Sequence, residues 1–133
     1  MNNPVNHFRG TKEYSFVYTE LITAAKYRGT VTYQEIAKIL GMPTQGNNMG
    51  RVIGLILGEI SRDETAKGRP MLSAVATNVN GSPGKGFFLL ARELGRITDK
   101  DSEITFWQRE LKLVYTTWKV VLKHEIEITE EQD

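Results

Sequence analysis

Hydrophobic positions recur at helical spacing near the start of the chain. Between Lys12 and Tyr27, Tyr14, Val17, Tyr18, Leu21, Ile22 and Ala25 fall three or four residues apart, which predicts an amphipathic helix ending at Gly29. After Thr30 and Val31, Thr32-Tyr33-Gln34-Glu35 has the form of a capping box, in which threonine hydroxyl and glutamate carboxylate each take the other's backbone amide. It predicts a second helix with Ile36, Ile39 and Leu40 inward, capped by Gly41 and stopped by Pro43. A turn over 42–48 follows, and Asn47 or Asn48 can cap a third helix. Its inner face is Met49, Val52, Ile53, Ile56 and Ile60, and it runs to about Arg62.

Beyond the polar stretch 63–68 the pattern changes. Residues 70–79 partly alternate and lead into Asn80-Gly81, a strong turn dipeptide, so they read as a strand entering a hairpin, the wing. Ser82-Pro83-Gly84-Lys85-Gly86 is too glycine-rich for a regular element, whereas Phe87 to Leu94 followed by Gly95 reads as a short capped helix. A long final helix spans 101 to about 124, with Trp107, Leu111, Val114, Tyr115, Trp118 and Leu122 as its inward stripe. The order is that of a winged helix-turn-helix, a mostly α (α+β) fold with a small β-hairpin wing and a long C-terminal helix. Residues 1–11 read as a mobile N-terminal arm, 12–124 as the winged-helix domain and 125–133 as an acidic tail.

Composition narrows the chemistry. At 133 residues, 40% hydrophobic and 25% charged, the chain has the make-up of one folded domain. It contains no cysteine and two histidines, which excludes disulfides, thiolate metal sites and cysteine nucleophiles. No apolar run is long enough for a membrane span and no signal-peptide pattern opens the sequence, so the expected location is cytoplasmic. The net charge of +1 conceals an asymmetry: Glu125, Glu127, Glu130, Glu131 and Asp133 face no base in the tail, which leaves the body at +6. A modestly basic body is compatible with nucleic acid without being diagnostic of it.

The stretch Val31-Thr32-Tyr33-Gln34-Glu35-Ile36-Ala37-Lys38-Ile39-Leu40-Gly41-Met42-Pro43 resembles the DNA-binding domain of the O6-alkylguanine-DNA alkyltransferases and their alkyltransferase-like relatives. Their pattern there is V-[ST]-Y-x-x-[IL]-A-x-x-x-G-x-P, followed on the recognition helix by R-A-V-G. Arg51-Val52-Ile53-Gly54 stands in that place, after a turn three or four residues longer. The resemblance covers about residues 29–62 and implies that Tyr33 lies against the DNA backbone and that Arg51 enters the base stack. It also implies a reactive cysteine in P-C-H-R, where this chain has Pro70-Met71-Leu72-Ser73. Alkyl transfer from guanine needs a thiolate, so suicidal repair is excluded, and the loss of the motif's histidine removes a basis for lesion recognition. The block from Arg69 through Gly86 and Phe87 is also similar to segments of uncharacterised bacterial proteins.

The candidate DNA-binding residues are therefore Tyr33, Lys38, Gln45, Asn47, Asn48, Arg51, Arg69 and Lys85. Each has a plainer alternative. Tyr33 can be a lid on the core, Arg51 a solvated charge, and the amides of Gln45, Asn47 and Asn48 caps of a turn. Gly50, Gly54 and Gly58 recur every fourth residue of the third helix, at roughly 1 kcal/mol each relative to alanine. That loss of helix stability points to a close backbone neighbour, first of all the final helix of this chain, and otherwise a partner protein or a nucleic-acid backbone. Ser82 to Gly86 with Lys85, and Arg69 beside them, could cradle an anion, although Walker-loop spacing is absent and a tight turn serves as well. His7 and His124 read as surface residues, and Glu59, Asp63 and Glu64, which could chelate a cation or act as paired carboxylates, read first as acids facing solvent after a helix.

The expectation is a non-catalytic duplex-DNA-binding domain without a cofactor or metal. One alternative is a protein-interaction module or homodimer using the third or the C-terminal helix. The other is a small nucleotide- or anion-binding protein built on the glycine loop.

Overall fold

A computed structural model describes the backbone of residues 7–43 and 47–131, and side chains within 7–43 and 49–119. The chain is mostly helical. Helix α1 (Lys12–Lys26) starts where the Thr11 hydroxyl accepts from the Tyr14 amide at 3.2 Å, and it buries Val17, Leu21 and Ala25. It ends at Lys26 with Tyr27 as its cap, and the left-handed position that follows is taken by Arg28, with φ 57°, one residue before the expected glycine.

Strand β1 (Val31–Thr32) leads straight into α2 (Tyr33–Ile39). The capping box forms in full: Thr32 N–H donates to the Glu35 carboxylate at 2.8 Å, and Glu35 N–H donates to the Thr32 hydroxyl at 3.1 Å. Gly41, at φ 72°, turns the chain out of α2. Helix α3 (Asn47–Ala66) runs about a turn past its expected end, burying Ile53, Ile56, Leu57 and Ile60 and then Ser61 and Glu64. Helix α4 (Lys85–Glu93) and helix α5 (Glu103–Glu131) complete the fold.

The segment expected to form a hairpin is built differently. Leu72–Val75 is a single turn of 3-10 helix, and only Ala76–Thr77 is extended, as β2. β2 pairs in parallel with β1, Val31 opposite Ala76 and Thr32 opposite Thr77. The reason lies in burial: all seven residues from Met71 to Thr77 are buried, whereas a hairpin strand would expose alternate side chains. The Asn80-Gly81 turn does form, with Gly81 at φ 90°, but it delivers the chain to α4 instead of a returning strand. Among the described residues there is no antiparallel wing.

The 3-10 turn sits in the middle of the core, packed by α1, α3 and α5. Its polar atoms are satisfied from three sides. Ser73 N–H donates to the Ser61 hydroxyl at 3.0 Å, Trp107 Nε1 donates to the Ala74 carbonyl at 2.8 Å, and Met71 N–H donates to the Glu110 carboxylate at 2.8 Å. Glu110 also receives Arg96 at 2.7 and 2.9 Å, from the link between α4 and α5. Tyr115 reaches the Gly29 carbonyl at 2.8 Å, fastening α5 to the end of α1.

Residues 7–11 of the expected arm are tied to α3. The Glu59 carboxylate, buried in α3, accepts from His7 N–H at 2.8 Å and Phe8 N–H at 2.9 Å. Arg9 Nε donates to both oxygens of Asp63 at 3.0 Å, and Tyr14 Oη donates to one of them at 2.6 Å. Burial pushes the Asp63 carboxyl up, but the hydrogen bonds from Arg9 and Tyr14 and the arginine charge outweigh it and leave the pKa lowered. A carboxylate whose pKa is depressed by folding stabilises the fold above its unfolded value, and that contribution is lost as pH falls through the folded value. Asp63→Asn should therefore lose about 1 kcal/mol relative to wild type at pH 7, a gap that shrinks at a pH below the ordinary carboxylate range. Urea unfolding of both proteins at pH 7 and at that lower pH checks this, and an unchanged gap contradicts it.

Candidate functional site

A cleft of about 890 Å³ opens between α3 and α4. Its floor is the glycine face of α3: Gly50, Gly54 and Gly58, with Ile53 and Leu57 beside them. Phe87, Leu89 and Leu90 of α4 form the facing wall. Tyr33 and Gly84 border it at the start of α4, and an ion pair from Arg62 of α3 to Glu93 of α4 bridges the C-terminal ends of the two helices. His7 and Arg9, held by Glu59 and Asp63, complete the rim.

The glycines settle one expectation against itself. A Cβ built on Gly50, Gly54 or Gly58 meets nothing within 4 Å, so no described part of this chain makes the close approach that their spacing pointed to. The helix keeps three flexible residues to leave one face bare. That face is open, apolar and flat. Clefts of several hundred cubic ångströms with mostly apolar walls are the usual form of binding sites.

The anion-cradle reading fares differently. The loop does border a concave space, through Gly84 and Gly86, but Lys85 and Arg69 are not among the residues lining it. Gly84 N–H, the amide such a cradle would offer, donates to the Tyr33 hydroxyl at 2.7 Å. The two arginines on the rim are engaged as well, Arg9 by Asp63 and Glu59 and Arg62 by Glu93.

The candidate DNA-binding residues fall into three groups. Lys38 on α2, Arg51 on α3 and Lys85 at the first position of α4 are exposed. Tyr33 and Arg69 have internal roles. Burial raises the Tyr33 hydroxyl's pKa, the Gly84 amide pulling the other way. Arg69 forms a bidentate pair with buried Glu64, at 2.8 Å on each oxygen, and its guanidinium lies over the Trp118 ring, 5.8 Å from the centroid. Gln45 lies outside the described residues; Asn47 and Asn48 open α3, and their side chains lie outside them too.

Sequence reasoning missed the use of three acids. Glu59, Asp63 and Glu64 were expected in solvent; Glu59 is only 6% and Glu64 1% exposed, and all three accept hydrogen bonds. Their signal was present, since a period of three to four places 56, 60 and 64 on the buried face and 59 and 63 beside it. His7 borders the cleft, while the side chain of His124 lies outside the described residues. Among the described residues no three His, Asp or Glu side chains gather to hold a metal ion, and no helix is long and apolar enough to cross a membrane.

No protein-family model matches the chain, and comparison with curated proteins and with solved structures finds no match either.

The bare glycine face makes a direct prediction. Because nothing occupies the space, Gly54→Ala should raise stability by about 0.5–1 kcal/mol through helix propensity alone. Denaturant unfolding measures it, and a loss of stability would mean that the face is covered.

Proposed function

We propose that the protein is a non-catalytic duplex-DNA-binding domain of the helix-turn-helix kind, related to the alkyltransferase DNA-binding domain. One observation carries the reading. α2, capped by Thr32 and Glu35, packs on α3, and the unit presents Arg51 to solvent near the start of α3, with Lys38 exposed on α2. In helix-turn-helix proteins the N-terminal part of the second helix reaches base edges while the first lies across the backbone. Arg51 would be the reading side chain, with Lys38 and Lys85 on phosphates. The loop before α4 would stand where a hairpin wing usually reaches the duplex.

The absence of chemistry is supported by what fills the place of the reactive motif. Met71 and Leu72 are fully buried in the core, and Ser73, also buried, is hydrogen-bonded to Ser61 with 2.6 Å between the hydroxyls. Met71 and Leu72, without exposed surface, are out of reach of a bound substrate.

A second reading is favoured by the cleft, which offers a partner helix a floor without side chains. Glycines four residues apart allow helix backbones to approach closely. In that reading the protein is an interaction module and α3 serves a protein partner or a second copy.

Fluorescence anisotropy with labelled duplex DNA tests the first reading. Affinity should fall steeply between 50 and 200 mM salt, by roughly tenfold for every two phosphates neutralised. Arg51→Ala should weaken binding by about tenfold or more. No binding at low salt, or no effect of Arg51→Ala, contradicts the proposal; self-association abolished by Gly54→Leu, without DNA binding, would favour the second reading.

A further inference from the structure

Tyr33 opens α2 immediately after the capping threonine, yet its hydroxyl is bonded 51 residues away, to the main chain of Gly84. Gly84 is the N-cap of α4 and, being glycine, has no side chain with which to cap that helix. Its backbone does not require glycine, since φ is −76°. What a side chain would crowd is the tyrosine: a Cβ at Gly84 would lie 3.2 Å from Tyr33 Oη, so that the ring or the loop must give by a few tenths of an ångström. Residues 33 and 84 are fitted to each other, and the next residue along is the exposed Lys85.

The surrounding contacts show what this bond can control. Phe87 packs against Phe106, with centroids 5.9 Å apart, and anchors the body of α4 to α5. On the side facing α3 the cleft intervenes, with the bridge between Arg62 and Glu93 at the far end of both helices. The bond to Tyr33 joins the start of α4 to α2, and α2 is packed on α3.

We infer that Tyr33 is a positioning residue, a latch that fixes Lys85 relative to Arg51, and that it acts on a bound duplex through Lys85 without touching it. The inference rests on the DNA-binding reading. It reassigns the tyrosine from a contact with the nucleic-acid backbone to a link between two parts of the contact surface. A latch of one hydrogen bond is removed by Tyr33→Phe, which keeps the ring in place. It is strained by Gly84→Ala, which keeps the tyrosine but crowds its hydroxyl.

Two measurements on the whole protein test it. In the free protein, exchange of the Gly84 amide should speed up about fivefold in Tyr33→Phe, the value expected when one ordinary hydrogen bond is lost, and should be unchanged in Lys85→Ala. On duplex DNA, Lys85→Ala should lower the slope of log affinity against log salt by about one. Tyr33→Phe should reproduce that fall and Gly84→Ala part of it, and combining either with Lys85→Ala should add nothing further. Unchanged Gly84 exchange overturns the latch. Additive effects of Tyr33→Phe and Lys85→Ala overturn its action through Lys85. Failure of the wild type to bind DNA overturns the DNA reading and the role of Lys85 with it, whereas the exchange rate, read without DNA, still shows whether the latch exists.

Discussion

Three buried carboxylates, Glu59, Glu64 and Glu110, decide where the irregular parts of this molecule lie. A carboxylate removed from water is tolerated only when hydrogen bonds and a positive charge replace the solvent, because an unpaired buried charge costs several kcal/mol. Each of the three draws at least one partner from a segment with little regular structure of its own, Glu64 taking the Tyr18 hydroxyl of α1 as well. Glu59 takes the amides of His7 and Phe8, Glu64 takes Arg69 from the link after α3, and Glu110 takes Arg96 together with the Met71 amide. The helices supply the acids and the loops come to them. The N-terminal strap, the entry to the 3-10 turn and the link between α4 and α5 are thereby held against helix faces that hydrophobic contact alone would not assign to them.

Function follows from the same arrangement. With the strap and the α4 region fixed by polar contacts, α3 does not need to be covered along its glycine face, and the cleft remains open. α3 therefore presents different surfaces: a buried apolar side, a bare glycine side, and an exposed N-terminal part carrying Arg51. The DNA-binding reading uses the last of these and the interaction reading the second.

What the sequence revealed was local, and what it hid was collective. The Thr32 and Glu35 box was legible because its partners lie three residues apart, and the stripe of Ile53, Ile56 and Ile60 because helical periodicity is a property of one segment. Residues 70–79 read as a strand because apolar content and a following Asn-Gly turn are shared by hairpins and by fully buried segments. Only the packing of three helices around the 3-10 turn distinguishes them. The acids of α3 read as solvated because their partners, Arg9, His7 and Arg69, are either distant in sequence or beyond the end of the helix. Lys38, Arg51 and Lys85 are exposed, whereas the Tyr33 hydroxyl and the Arg69 guanidinium, candidates by residue type, are bonded within the fold. Nothing in their own neighbourhoods told the two cases apart.

The organising role of the buried acids is tested most directly at Glu110, which joins α5, the 3-10 turn and Arg96 in one cluster. Glu110→Gln preserves shape but turns one acceptor into a donor, which then faces the Arg96 guanidinium in either orientation and the Met71 amide as well in one. Equilibrium unfolding in urea should show a loss of about 2–4 kcal/mol. A change within about 0.5 kcal/mol, the range of an ordinary surface substitution, would contradict the account.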